Sequence, residues 1–363
     1  MQFNSSNKGV QLNAELDAPS FRLNNARDSR LTEIFHSDNC LTFDGEEEHS
    51  LKLAELCEDY LTPRVIYVNM SDGRTIRAYE IGPPDVPLVI GIHGTPSTGL
   101  SHVVNYVATA PIFCRLVAFD RPGYGGSTPL PGRKVSDVAL VVEAVLDHLA
   151  VDRAAVYGHS GGGMLALATA ALLPKRIVRA ACSAGNGPNS SSSGFDYTMG
   201  QSRLMREEII EARKGPQASR EFYRRVAARL RDQEIERQLY SANDLRVGRL
   251  LAPLVDQIAQ RLALAGTPYS EEDAYVDDAQ SWASPWGFDL ESITVPTRFF
   301  HGLEDKMVSL HHSEWMRSQI PNSSMELFPH YGHHLGQLMP HILAWLVSNS
   351  PPPVWPPHDE VRG

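Results

Sequence analysis

Three residues that lie far apart in this sequence have the types and the order that nucleophilic catalysis by a serine requires. Ser160 is the centre of GHSGG at 158–162, a Gly-x-Ser-x-Gly pattern. Asp305 follows a later apolar segment, and His333 follows the last one. A serine hydroxyl is a poor nucleophile at neutral pH, so it needs a base, and that base needs an acid to orient it. The order of these residues predicts acyl transfer through Ser160.

The segments on either side of Ser160 are suited to present its hydroxyl at a sharp turn. Residues 154–157 form an apolar run with the length of a buried strand, and residues 164–173 are rich in Ala and Leu, which favours a helix. Small residues between the two allow a strained turn that exposes Oγ, and the helix N-terminus offers N–H groups where an oxyanion would form. Taken alone, the pattern also fits a Gly- and Ser-rich loop without function.

Apolar strand-like segments alternate with helical segments along most of the chain. Asp72-Gly73 is a tight-turn signal that predicts a hairpin, and the continuous apolar run at 88–92 is typical of a strand buried on both faces. This alternation predicts an α/β fold, a mostly parallel sheet with helices on both faces. The strands are expected at 65–68, 75–79, 88–92, 115–119, 154–157, 177–182, 296–300 and 325–328, and the other core helices at 100–110, 135–150 and 335–347.

The alternation stops after the segment at 177–182 and resumes at 296–300. Amphipathic spacing around Phe222, and again from Leu251 to Leu262, predicts helices in between, so we expect an inserted all-helical cap. The predicted division of the chain is a leader with a short helix near 46–61 over 1–62, a first core part over 63–194, the helical cap over 195–290, a second core part over 291–349 and a Pro-rich tail over 350–363.

Composition and charge exclude several functional classes. The 363 residues are 42% hydrophobic and 21% charged, and no apolar run reaches the roughly 18 residues that a membrane span needs. The formal net charge of −10 argues against nucleic acid and anionic membranes as partners. The N-terminus lacks the apolar core of a secretory signal, so we expect a cytoplasmic protein. The four cysteines show no metal spacing.

Two further motifs complete a family pattern. HGTP at 93–96 follows the third predicted strand, and DRPGYGGS at 120–127 follows the fourth, before GHSGG at 158–162. In these motifs the chain resembles the α/β-hydrolase superfamily, in its serine-nucleophile branch with a helical cap. The resemblance runs from about residue 65 to residue 347. Dehalogenases and epoxide hydrolases share the first motif, but they place an aspartate at the elbow where this chain has Ser160.

The resemblance implies a role for each matched position. Ser160 corresponds to the nucleophile, Asp305 to the acid and His333 to the base of a catalytic triad. The backbone amides of Thr95 and Gly161 correspond to the oxyanion hole. The chemistry that the resemblance implies uses no cofactor and no metal.

Neighbouring residues compete for two of these roles. Glu304 is an alternative acid, but the family pattern Gly-x-x-Asp favours Asp305. His334 is an alternative base, but the residue directly after the glycine in Gly-His is the usual one, which favours His333. His93 and His159 are expected to be buried hydrogen-bonding residues, because the motifs already give their neighbours other roles.

Aromatic residues border the insertion on both sides. Tyr197, Trp282 and Trp286 are candidates to line an apolar substrate pocket, although packing of the cap on the core explains them equally well. On the pocket hypothesis we expect an ester, a lactone or a thioester of a small, largely apolar molecule. Composition leaves both a monomer and a homodimer open.

Other functions remain compatible with the sequence. A peptidase of the prolyl-aminopeptidase type would use acids in the cap to hold a substrate amine, and Glu207, Glu208 and Glu211 are available. Hydrolysis of a carbon–carbon bond is a second enzymatic alternative. A ligand-binding receptor on the same fold belongs to a different class, and an intact triad argues against it.

Overall fold

The computed structural model describes residues 63–109, 113–189, 194–229, 236, 239–262, 264 and 270–348. The helix predicted near 46–61 and the Pro-rich tail lie outside these residues. Within the described ranges no helix is both long enough and apolar enough to span a membrane.

Eight strands form one sheet in the described part of the chain. Its spatial order is β1-β2-β4-β3-β5-β6-β7-β8, with β1 and β2 antiparallel to their neighbours and every other pair parallel. The predicted α/β fold with a mostly parallel sheet is therefore confirmed. The strands are β1 (Arg64–Asn69), β2 (Thr75–Ile81), β3 (Leu88–Ile92), β4 (Arg115–Phe119), β5 (Ala154–His159), β6 (Ile177–Ser183), β7 (Thr297–Gly302) and β8 (Ser323–Phe328).

Helices cover the sheet on both faces. Side chains of α2 (Val138–His148), α3 (Gly161–Leu172) and α8 (Leu310–Gln319) belong to one buried apolar cluster. Side chains of α1 (Leu100–Thr109) and α9 (Met339–Val347) belong to a second cluster. Each cluster includes inward residues of the same strands, so the sheet is buried between two apolar layers.

Four α-helices lie in the described residues between β6 and β7, where the sequence predicted a helical insertion. They are α4 (Arg203–Lys214), α5 (Pro216–Ala227), α6 (Ala242–Arg261) and α7 (Glu271–Ala283). Residues of α4, α5 and α7 share a small apolar core that includes Leu204, Phe222 and Val276. We call residues 195–290 the insertion; the division of the chain at these two positions stays a prediction.

Two predicted core helices begin later than expected. Residues 135–137 and 336–338 form single 3₁₀ turns, and α2 and α9 begin only at Val138 and Met339. Pro340 lies in the first turn of α9, where its missing N–H removes no helical hydrogen bond, so it favours a helix start at this point.

Candidate active site

Ser160 lies at the sharp corner between β5 and α3. Its backbone has φ 55° and ψ −126°, a conformation that costs a non-glycine residue free energy. The Ser160 N–H donates to the carbonyl of Ser183 at 2.8 Å, and the N–H of Gly163 donates to the Ser160 carbonyl at 2.8 Å. A Cβ at Gly158 would lie 2.0 Å from the carbonyl oxygen of Gly162, so the turn is possible only because this position is glycine.

Asp305 and His333 form a buried pair. Their side chains are 1% and 2% exposed, and Oδ2 of the carboxylate lies 2.9 Å from Nδ1 of the ring. The other carboxylate oxygen accepts the backbone N–H groups of Met307 and Val308, each at 2.9 Å. An ionised carboxylate only accepts hydrogen bonds, so Nδ1 carries the proton. Nε2 is then the nitrogen that is available to act as a base.

The two members of this pair shift each other's pKa. Burial lowers the pKa of His333, but the Asp305 carboxylate outweighs burial, and the net effect is to raise that pKa above its ordinary value. Burial raises the pKa of Asp305, but His333, with smaller effects of His301 and the Val308 N–H, outweighs burial, and the pKa of the carboxyl is lowered. Asp305 is therefore ionised at neutral pH and stabilises the imidazolium form of the histidine.

His333 lies beside the corner that carries the serine. The ring of His333 packs against that of His159, the residue before Ser160, with the centroids 5.0 Å apart. Ser160, Asp305 and His333 follow the carboxyl ends of β5, β7 and β8, which run parallel and end at the same edge of the sheet. The fold thus brings the three predicted triad residues to one edge; their catalytic roles stay a prediction.

The structure gives the competing residues other positions. Glu304 is exposed, whereas the side chain of Asp305 is buried against His333. The ring of His334 stacks on that of Tyr240, with centroids 5.6 Å apart, and burial followed by the nearby His333 lowers its pKa to about 4. Of the two neighbouring histidines, it is His333 whose ring hydrogen-bonds the Asp305 carboxylate.

The residues predicted to form the oxyanion hole are adjacent. A Cβ at Gly161 would lie 2.9 Å from Oγ1 of Thr95 and 2.8 Å from Cζ2 of Trp282. A Cβ at Gly94 would lie 2.9 Å from Cβ of Ser160. The loop after β3 therefore lies directly against the N-terminus of α3. Their backbone amides stay the predicted donors.

The insertion contacts the histidine loop through Asp244, a residue that the sequence did not single out. Oδ2 of this buried carboxylate accepts the backbone N–H of His333 at 3.0 Å, and Oδ1 accepts that of His334 at 2.7 Å. Oδ2 also accepts the N–H of Ser241, the N-cap of α6, at 2.9 Å. The only sequence signal was the spacing of a capping box, Ser241 followed three residues later by an acid.

A second acid of the insertion, Asp278 on α7, contacts the loops after β3 and β4, which lie on the other side of Ser160 from the histidine loop. It forms a buried ion pair with Arg121, from the loop after β4, and its carboxylate accepts a hydrogen bond from the Thr95 hydroxyl. No local pattern in the sequence indicated this contact, because Asp278 stands in an acidic segment that is typical of a solvated face.

A cleft of about 880 Å³, including its open mouth, lies over Ser160 between the core and the insertion. Most of its lining is apolar or aromatic. Tyr197 and Trp282, two of the residues predicted to line a substrate pocket, line this cleft. Trp286 is not among the described residues that line it. Trp286 stacks on Phe288, with ring centroids 5.6 Å apart, so its part in the pocket stays a prediction.

Two acids of the insertion, Glu208 and Glu271, line the cleft. Glu208 lines it and accepts a hydrogen bond from the hydroxyl of Tyr275, and burial raises the pKa of its carboxyl. Glu207 and Glu211 instead form ion pairs with Arg225 and Lys214, each at 2.7 Å. Of the three predicted acids, Glu208 is the one that lines the described cleft over Ser160.

The sequence is similar to those of known hydrolases. A 2-hydroxy-6-oxononadienedioate/2-hydroxy-6-oxononatrienedioate hydrolase from Pseudomonas putida is 25% identical over 310 residues, which cover 81% of this chain and 93% of that protein. A proline iminopeptidase from Arabidopsis thaliana is 33% identical over 114 residues, but this match spans only 31% of this chain and 30% of that protein.

The solved structure of an esterase from Exiguobacterium antarcticum matches 78% of this chain and 100% of its own, with a TM-score of 0.57 and 17% identity. At this identity the likeness shows the fold alone. The sequence also matches the family described as alpha/beta hydrolase fold over residues 87–336, more than half of the chain. By this match, together with the sheet and the elbow, the chain belongs to the alpha/beta hydrolase fold family.

Proposed function

We propose that the protein is a serine hydrolase that cleaves an ester, a lactone or a thioester through an acyl-enzyme on Ser160. The observation that carries this proposal is the buried Asp305–His333 pair beside the strained corner of Ser160, a residue that lines an apolar cleft. The family match supports hydrolysis, and the geometry supports the serine mechanism.

In the acylation step, Oγ of Ser160 attacks the acyl carbon and its proton passes to Nε2 of His333. The carbonyl oxygen becomes an oxyanion, which the backbone amides of Thr95 and Gly161 stabilise. His333 then gives the proton to the leaving group, and the acyl-enzyme remains. Asp305 holds the imidazole in the required tautomer and stabilises its charged form.

In the deacylation step, water takes the place of the leaving group. Nε2 of His333 accepts a proton from that water, whose oxygen attacks the acyl carbon, and the same two amides stabilise the second oxyanion. Ser160 leaves with the proton from His333. Protein side chains and water are sufficient for both steps.

The lining of the cleft supports a largely apolar acyl group. Leu204, Met205, Phe222 and Val226 of the insertion face the same space as Ser160. Because these residues come from helices that lie between β6 and β7, we propose that the insertion acts as a cap that selects the substrate and excludes water from the acyl carbon.

A peptidase that removes an N-terminal residue is the second candidate, and Glu208 favours it. A carboxyl that faces the cleft beside Tyr275 is suited to bind a substrate amine. Replacement by Gln preserves size and removes the charge. If the substrate carries an amine, Glu208→Gln raises KM for an aminoacyl amide by at least about tenfold; if it is an uncharged ester, KM changes little.

Hydrolysis of a carbon–carbon bond is a third reaction that the same triad is able to support. The substrates named for the Pseudomonas putida relative provide a direct assay for it. A non-catalytic receptor on this fold would turn over none of these compounds.

A fluorophosphonate probe tests the proposed function. We expect covalent labelling of the wild-type protein and no labelling of Ser160→Ala, because the probe reacts only with an activated serine. Nitrophenyl esters from acetate to laurate, tested beside prolyl and other aminoacyl nitroanilides, then distinguish the esterase from the peptidase. An unlabelled wild-type protein without turnover would show that the serine is inactive and favour the receptor.

A further inference from the structure

The loop that carries Thr95 is joined to the insertion by buried polar contacts. Asp278 forms a bidentate ion pair with Arg121, in which Oδ1 to Nη1 and Oδ2 to Nη2 are both 2.8 Å. The two side chains are 2% and 3% exposed. The same carboxylate accepts hydrogen bonds from the side chains of Arg133, Tyr124 and Thr95, at 2.7, 2.8 and 2.5 Å. These contacts fix the Arg121 guanidinium in one position.

The guanidinium in turn holds the peptide bond between Gly94 and Thr95. Nη2 of Arg121 donates to the carbonyl oxygen of Gly94 at 2.9 Å and to the Thr95 hydroxyl at 2.6 Å. In a planar trans peptide the C=O and N–H groups point to opposite sides. A hydrogen bond that holds the Gly94 carbonyl therefore also sets the direction of the Thr95 N–H, one of the two predicted oxyanion donors.

His93 holds the same carbonyl. Its Nε2 accepts the backbone N–H of Arg121 at 3.0 Å, so in the neutral ring Nδ1 is the donor, and it lies 2.8 Å from the Gly94 oxygen. Burial, followed by the charge of Arg121, holds the pKa of His93 well below its ordinary value. The ring is therefore neutral at physiological pH. The Gly94 carbonyl is therefore held twice, by the guanidinium of Arg121 and by His93, whose ring is positioned by the Arg121 backbone N–H.

We propose that Asp278 is a positioning residue for the oxyanion hole, which through Arg121 keeps the Thr95 N–H directed at the substrate oxygen. This inference rests on the proposed serine mechanism. Trp282, one turn further along α7, lies against Gly161, the second predicted donor. One helix of the insertion therefore contacts both halves of the oxyanion hole, and the hole is complete only while α7 is docked on the core.

The charge of Asp278 is what holds Arg121. An asparagine has the same shape, but it lacks the negative charge and replaces one acceptor oxygen with a donor. In Asp278→Asn the bidentate pair is lost, and the guanidinium is no longer held against the Gly94 carbonyl. His93 alone then holds the carbonyl, so the direction of the Thr95 N–H is less firmly set.

The test compares kcat and KM for nitrophenyl acetate with the inhibition constant of a phenyl trifluoromethyl ketone. In the ketone adduct, Oγ of Ser160 bonds to the carbonyl carbon, the proton passes to His333, and the carbonyl oxygen becomes an anion in the hole. We expect Asp278→Asn to lower kcat about 10- to 100-fold, less than the loss of a complete oxyanion donor, with KM within about threefold. The inhibition constant should rise by the factor by which kcat/KM falls.

Asp277→Asn is the matched control. This neighbour lies on the same helix and pairs with Arg133 at 3.2 Å rather than with Arg121. It should retain wild-type kcat, KM and inhibition constant. A loss in Asp277→Asn equal to that in Asp278→Asn would overturn the proposal, because any charge change on α7 would then have the same effect.

A second pair of variants decides the question if Asp278→Asn fails to fold. Thr95→Val removes the hydroxyl that contacts both Arg121 and Asp278 but keeps the backbone amide, and Thr95→Ser keeps the hydroxyl. We expect kcat of the serine variant to exceed that of the valine variant by about tenfold, with the inhibition constants in the reverse order. Equal values in the two variants would overturn the proposal.

Fluorophosphonate labelling distinguishes a failure of this inference from a failure of the proposed serine mechanism. A wild-type protein that is not labelled rejects both. A labelled wild type, together with a folded Asp278→Asn variant that has unchanged kcat and unchanged ketone affinity, rejects the role of Asp278 and leaves the serine mechanism in place.

Discussion

Gly332 leaves room for the carboxylate of Asp244: a Cβ at this glycine would lie only 2.1 Å from Oδ2. That oxygen accepts the N–H of His333, the predicted base. The glycine of the Gly-His motif therefore permits the insertion to approach the histidine loop closely. Its backbone does not require positive φ, so the constraint is the space occupied by the acid.

Gly332→Ala should displace Asp244 from the two histidine amides and misplace the imidazole. Because small displacements of a catalytic base are costly, we expect kcat to fall by about 10- to 100-fold. Turnover of the best nitrophenyl ester measures this effect. Gly73→Ala is a control at a hairpin turn with open space around the α-carbon, where the strain of positive φ should lower stability but not kcat. Wild-type kcat in Gly332→Ala would contradict the prediction.

Asp244→Ala leaves the backbone N–H groups of Ser241, His333 and His334 without this acceptor. We expect a loss of about 1–3 kcal/mol in the free energy of unfolding for the buried donors, together with at least about tenfold in kcat. Urea unfolding and ester kinetics measure the two effects.

Ser241→Ala is the matched control for this variant, because it removes the N-cap side chain of α6 and leaves Asp244 in place. It should cost about 1 kcal/mol of stability with little change in kcat. If both variants lower kcat equally, the histidine loop depends on the stability of α6 and not on the aspartate.

The sheet and the serine corner were predictable because their signals are local. Strands buried on both faces, such as the one at 88–92, leave continuous apolar runs, and an elbow needs small residues at fixed spacing. Asp244 contacts His333, which lies 89 positions away in the chain, and Asp278 contacts Arg121, which lies 157 positions away. No local sequence pattern indicates contacts over such separations. The partners of these two aspartates are chosen by the packing of the insertion on the core.

Within the insertion, α7 was missed although a signal was present. Ser270 is followed by three acids, and its side chain accepts the N–H of Asp273, a typical helix start. The helix has a weakly amphipathic sequence because Asp278 faces the core as part of an ion pair, where periodicity expects an apolar residue. The sequence could not tell which of Trp282 and Trp286 faces the cleft, because an aromatic residue at the border of the insertion packs equally well on either side.

Substitution of the triad residues one at a time should separate the roles of the two histidines. His333→Ala should lose at least as much kcat as Asp305→Ala, on the order of 10³-fold or more, because the acid only orients and stabilises the base. His334→Ala should lose far less, since its ring stacks on Tyr240 and the contact with Asp305 belongs to His333. An inactive His334→Ala variant together with an active His333→Ala variant would identify His334 as the base.

The pH profile of kcat/KM should report the pKa of His333. The base must be neutral, so activity falls as pH drops through that pKa. Asp305 outweighs the effect of burial and raises this pKa above its ordinary value, so the acid limb should lie at higher pH than for a free imidazole. Asp305→Asn removes the negative charge, so the limb should move to lower pH while the rate also falls. The measurement is kcat/KM against pH for the wild type and the variant with one ester. An acid limb at the same pH in both would show that a group other than His333 controls it.

Substitutions at Trp282 and Trp286 should have opposite consequences. Trp282 lines the cleft and lies against Gly161, so Trp282→Ala enlarges the space beside the acyl group. We expect its preference among esters from acetate to laurate to change by about 1–3 kcal/mol in kcat/KM, toward longer chains. Labelling by a small fluorophosphonate should persist.

Trp286 is 6% exposed within the core cluster and does not belong to the described lining of the cleft. Trp286→Ala should therefore cost about 3–5 kcal/mol of stability, as for a buried tryptophan, and leave the relative preference among esters unchanged. Urea unfolding and the same ester series measure both quantities in both variants. If Trp286→Ala changes the preference among esters and keeps wild-type stability, Trp286 lines the pocket. If Trp282→Ala leaves that preference unchanged, Trp282 does not contact the acyl group.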